Sequence, residues 1–90
     1  MYKIIDIKHK ETNQTRTDGR YPLRIGSVIE FYIEPTVNQC GFLVYIYDNK
    51  GNSRDGVLRT SIIDKIEYSE NKMIITTCNS IYILEKCREE

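Results

Sequence analysis

The 90-residue sequence predicts an all-β fold: a single domain, residues 1–90, built as a small antiparallel barrel of five to seven short strands with at most one short helical turn. Three observations carry this expectation. Apolar residues recur with a period of two in several short runs, and turn-forming residues separate those runs. Isoleucine occurs 14 times and alanine, the best helix former, not once, a bias of the kind an AT-rich genome produces. A chain of this size buries only about 60–65% of the surface that it exposes when unfolded, so there is room for one core and no second domain.

The first run, YKIIDIKH, places Ile5 and Ile7 on one side and reads as the opening strand. Residues 10–20, KETNQTRTDGR, hold no apolar residue and are expected to form a long, mobile loop. VIEFYIE, residues 28–34, alternates cleanly, with Ile29, Phe31 and Ile33 on one side and Val28, Glu30, Tyr32 and Glu34 on the other. Pro35 closes it, because proline cannot donate to a ladder. FLVYIYD, residues 42–48, is apolar on both faces: Phe42, Val44 and Ile46 on one, Leu43, Tyr45 and Tyr47 on the other. The following DNKG supplies hairpin turn residues, and a short strand from Val57 to Thr60 is expected to return beside it.

TSIID, with Ser61 as cap and Asp64 three residues on, is read as the one helical turn, after which KIEY resumes as a strand. Turns at SENK and at Asn79-Ser80 then frame MIITT and IYILEK. A two-residue loop at Asn79-Ser80 sets Thr77 opposite Tyr82 and Ile75 opposite Leu84. Met73, Ile75, Thr77, Tyr82 and Leu84 then share one face. Residues 87–90 read as a tail. A long first loop, a meander, a helical turn and a final strand fit an SH3-like plan. LRTSIIDKIEY followed by TTCNSIYILE, within residues 58–85, resembles the ends of short uncharacterised bacterial and phage proteins with such a barrel, a resemblance that implies no function.

Composition narrows the function classes. Thirteen basic and thirteen acidic side chains cancel, so no global field draws the chain to nucleic acid or anionic lipid. MYKIIDIKHK interrupts its apolar residues with charges and matches neither a signal-peptide core nor a membrane span; a soluble, cytoplasmic protein is expected. Cys40, Cys78 and Cys87 are odd in number and widely spaced, which argues for reduced thiols rather than a disulfide framework or zinc site; no metal and no cofactor is expected.

Chemistry has few candidates. Cys78 needs a base to act as a nucleophile, and the single histidine, His9, lies in the first strand; an unremarkable strand thiol is the better reading. Ser61 and Ser80 sit in no nucleophile-elbow pattern, and the chain is read as a non-enzyme.

Two surfaces remain. Tyr32, Leu43, Tyr45 and Tyr47, if their faces point outwards, form a tyrosine-rich patch for a protein partner or a homodimer, assisted by any free strand edge. The basic residues, in contrast, concentrate in two loop-rich segments: +3 over residues 1–24 and +2 over 49–65, against −3 over 25–48 and −2 over 66–90. If those loops meet, Arg16, Arg20, Tyr21, Arg54, Arg59, Thr60 and Ser61 converge on a phosphate, as in a nucleic acid or a phosphorylated small molecule. The sequence therefore predicts a binding module, through the tyrosine patch first and the arginine loops as the alternative.

Overall fold

A computed structural model describes residues 1–87; the expected tail lies outside the described residues from 88 onward. Six strands, β1 (Tyr2–His9), β2 (Val28–Phe31), β3 (Cys40–Tyr47), β4 (Val57–Ser69), β5 (Lys72–Thr77) and β6 (Ser80–Lys86), and one short helix, α1 (Tyr21–Arg24), make up the fold. Each strand pairs antiparallel with its neighbours in sequence, and β1 pairs with β6 to close a barrel. Closure removes the free strand edge that was considered for partner binding, the usual way for a small β protein to protect itself from edge pairing. No helix among the described residues is long and apolar enough to cross a membrane.

The interior is filled by Ile4 and Ile7 of β1, Ile29 of β2, Leu43 and Tyr45 of β3, Leu58 and Ile63 of β4, Met73 and Ile75 of β5, and Tyr82 and Leu84 of β6. Ile4 and Ile7, three residues apart, both point inwards because the β1–β6 register shifts between Ile4 and Asp6. A bulge of this kind breaks the period of two, which is why Ile5 was paired with Ile7 in the sequence reading and Ile4 was missed.

Further expectations change. β2 stops at Phe31, so Tyr32 and Ile33 lie in an exposed loop; one more sheet bond, Tyr32 N–H to the Phe42 carbonyl at 3.1 Å, follows before the chain departs. In β3 it is Leu43 and Tyr45 that face the core, while Phe42, Val44 and Ile46 face outwards half-covered. Both faces are apolar, so alternation alone could not choose between them.

The TSIID segment is no helical turn: β4 runs unbroken for 13 residues. Thr60 Oγ1 accepts the Gly41 N–H at 2.8 Å and donates to the Ser61 carbonyl at 2.7 Å, binding this segment to β3 where a helix would need those groups itself. A methyl group on Gly41 would stand 2.9 Å from Thr60 Oγ1 and 3.4 Å from Ile63 Cδ1, so the close approach requires glycine. The helical turn falls instead at Tyr21–Arg24, where Pro22 occupies the first turn and gives up an N–H that would have no partner there anyway.

The β5–β6 hairpin keeps the expected grouping of residues on one face, which is the buried one, with a register moved by two: Ile75 pairs with Tyr82 and Met73 with Leu84. An even shift preserves faces. The Thr77 hydroxyl closes the longer turn, donating to the Ser80 carbonyl and accepting the Ser80 N–H, each at 3.0 Å. Residues 10–20 form no full strand, yet they are fastened to β1 by Arg16 N–H to the Ile7 carbonyl (2.8 Å) and His9 N–H to the Gln14 carbonyl (2.8 Å).

Candidate functional site: an arginine and tyrosine cluster at one barrel end

β1, β3 and β5 finish, and β2, β4 and β6 begin, at the same end of the barrel. Helix α1 folds over it, bonded to β1 through the Gly26 N–H and the Ile4 carbonyl at 2.6 Å. Gly26 also meets the β3–β4 loop: a methyl group there would lie 3.0 Å from Asn49 Cβ. The two basic segments of the sequence are therefore neighbours at this end.

Arg16 is the most firmly held of the arginines. Its Nη2 and Nε donate to the two Asp18 oxygens at 2.8 and 3.2 Å, its Nη1 donates to Ser80 Oγ at 2.7 Å, and its guanidinium carbon sits 4.0 Å from the Tyr21 ring centre. This fork of hydrogen bonds holds the Asp18 carboxyl down at about 2. Arg24 approaches the same Tyr21 ring at 5.0 Å, and Arg54 covers the Tyr45 ring at 3.8 Å. Guanidinium planes rest on ring faces because the ring quadrupole is negative there. Behind them lies Tyr82, 3% exposed. Burial pushes its phenol up to about 12; Tyr21 and Tyr45 push the same way, and Arg24 and Arg16 pull back.

Arg16, Tyr21 and Arg54 of the anticipated set are thus brought to one end, Arg54 through Tyr45. Arg20 is exposed beside them, at the start of α1. Arg59 is not part of the cluster: it is exposed on the outer face of β4 between Leu58 and Thr60, where Nη2 reaches Cys40 Sγ at 3.8 Å. Thr60 is buried and its hydroxyl already has both partners, so it is unavailable to a phosphate. Ser61 Oγ accepts from Asn79 Nδ2 at 2.9 Å. The tyrosine patch does not assemble. Leu43 and Tyr45 are inside the barrel, leaving Tyr47 at 40% and Tyr32 at 75% exposure on separate segments.

Arg24, Lys50 and Tyr82 belong to this end and were not singled out from the sequence. Pro22 inside YPLR was the available signal for a helical turn that presents Arg24, and Tyr82 shares the face of Met73, Ile75, Thr77 and Leu84 as expected, a face that proves to be the inner one. Among the described residues, Arg20, Arg24, Lys50 and Arg54 have no carboxylate within 4.0 Å. Lys50 and Arg54 line an open depression of about 390 Å³ with Leu23, Asp48, Asn49 and Ser53. Asp48 is turned onto its own loop, accepting the Asn52 and Lys50 N–H groups at 2.9 Å each, bonds that hold its carboxyl below the ordinary value.

A second depression, about 300 Å³, does bring His9 and Cys78 to one place, beside Lys10 and Arg16. His9 Nε2 is directed at Asp18 Oδ1 (3.6 Å), and Cys78 Sγ at the Ile62 carbonyl (3.6 Å), so the pair does not form a nucleophile and base bonded to each other. Lys10 is tied to Asp64, which raises its ammonium above the ordinary value. Among the described residues no group of three or more histidine, cysteine or acidic side chains is placed to hold a metal ion.

Compared with protein families, curated proteins and solved structures, the chain matches none.

Proposed function

We propose that the chain is a non-catalytic binding module whose arginine and tyrosine end holds the phosphates of a single-stranded nucleic acid. The observation that carries this reading is that Arg24 and Arg54 lie against tyrosine rings at one barrel end with no carboxylate within 4.0 Å among the described residues. A guanidinium held on a ring keeps its donor edge free for phosphate oxygens and loses little freedom when it binds. Arg20 and Lys50 widen the basic area, and Leu23, 60% exposed between Arg20 and Arg24, offers an apolar contact for a base. An open, spread set of cations suits a strand that runs across it better than a small molecule that must be enclosed.

Fluorescence anisotropy with a labelled oligothymidylate at low salt tests the proposal. Binding that weakens in Arg24→Ala and Arg54→Ala is expected. Absence of binding, or indifference to both substitutions, overturns it. Equal affinity for a nucleoside diphosphate, with no gain from oligonucleotide length, replaces nucleic acid by a phosphorylated small molecule.

A further inference from the structure

The opposite end of the barrel has a different chemistry. There β1 begins, β2 ends and the β4–β5 hairpin turns, and Tyr2, Phe31, Glu34, Pro35, Tyr68 and Met73 enclose an open pocket of about 370 Å³. Tyr2 and Phe31 meet edge to face, ring centres 5.4 Å apart at 64°. Tyr68, 67% exposed, stands opposite Met73 across the hairpin, and Met73 is buried and forms the floor. Three aromatic rings over a thioether floor make a small concave surface rich in π faces.

Its charge is one-sided. Glu34 is the sole charged residue of the lining and has no ion-pair partner among the described residues. From Val28 to Asn49 the chain carries no lysine or arginine. Aromatic faces attract a cation through their quadrupoles, and a carboxylate at the rim adds a direct charge partner. An anion would meet Glu34, and a purely apolar group would leave it unused. We propose that this pocket takes the arginine or lysine side chain of a partner protein. A protein is the occupant because the exposed apolar residues Tyr32 and Ile33 follow one lining residue, Phe31, and precede another, Glu34, in the chain, further contact area that a lone small cation would not use. The site is independent of the arginine end, which could fail without affecting it.

Nuclear magnetic resonance of the full chain titrated with N-acetyl-arginine methylamide tests this. Saturable shifts of the Tyr2, Phe31 and Tyr68 rings in the millimolar range are expected, at least about twofold to fivefold tighter than for the norleucine analogue that lacks the cation. Tyr68→Ala, at an exposed position where the amide spectrum reports an intact fold, removes the shifts, and Glu34→Gln weakens them by about twofold to fivefold. No saturation up to about 50 mM, where even very weak cation–π binding is detectable, overturns the proposal. Equal affinity for the norleucine analogue, or no effect of Glu34→Gln, overturns it as well. Tetramethylammonium binding about tenfold more tightly than the arginine amide overturns the assignment to a protein side chain.

Discussion

The arginine end makes a quantitative prediction about salt. Each phosphate neutralised on a single strand releases condensed counterions, and the logarithm of affinity falls with the logarithm of salt concentration by about 0.7 per contact. Among the described residues, Arg20, Arg24, Lys50 and Arg54 are four cations at this end with no carboxylate within 4.0 Å, whereas Arg16 is already committed to Asp18. Four contacts give a slope of about −2.8, so raising salt from about 50 to about 200 mM weakens binding by about fiftyfold. In the Arg24→Ala, Arg54→Ala double variant the slope drops to about −1.4. Arg16→Ala leaves the slope nearly unchanged. Anisotropy titrations at four or five salt concentrations measure all three. A wild-type slope shallower than about −1, or one that the double variant leaves in place, refutes the reasoning that these side chains meet phosphate. So would a slope that falls most in Arg16→Ala.

Other predictions concern the fold that holds these ends. Thr60→Val leaves the buried Gly41 N–H without its acceptor and should cost about 1–3 kcal/mol in urea denaturation, whereas Thr60→Ser keeps the hydroxyl and costs about 1 kcal/mol for the lost methyl. A valine variant as stable as wild type would contradict that account. Tyr82, raised in the folded chain to about 12 from an ordinary 10.0, stabilises the fold fully below pH 10, and that contribution disappears as pH rises from there to about 12. The loss amounts to about 2–3 kcal/mol. Phenolate absorbance should show one tyrosine ionising last and together with unfolding, and Tyr82→Phe should remove that share of the alkaline sensitivity. Asp18, depressed to about 2, supports the fold above its ordinary 3.8 and loses that support as pH falls through the interval between them. Its carboxyl carbon shift should titrate near 2 in the wild type and return towards the ordinary range in Arg16→Gln.

Much of the barrel was legible in the residues. That Met73, Ile75, Thr77, Tyr82 and Leu84 share one face followed from alternation, which survives a register error of two; that this face is the inner one did not, since the opposite face is apolar too. Where both sides of a strand are apolar, alternation has nothing to discriminate, so Leu43 and Tyr45 were assigned to the surface and a tyrosine patch was built on them. TSIID has capping residues for a helix. Thr60 instead meets Gly41 from a strand 19 residues earlier, a tertiary contact that local pattern cannot contain. The concentration of positive charge in two segments was legible as well. Their meeting through Gly26 and Asn49 depended on a glycine allowing two loops to touch. The aromatic pocket was least visible, because Tyr2, Phe31 and Tyr68 come from three strands and no short motif joins them.

The pairing that closes the barrel also sets the order in which it can form. β1 has only two register pairs with β2, its neighbour in sequence, and seven with β6, the last strand of the chain. A nascent or refolding chain therefore gains most of the strand pairing of β1 only once β6 is present. The β4–β5–β6 meander, whose contacts are mostly local, should assemble early, with β1 docking as the late, slow event expected of a high-contact-order β topology.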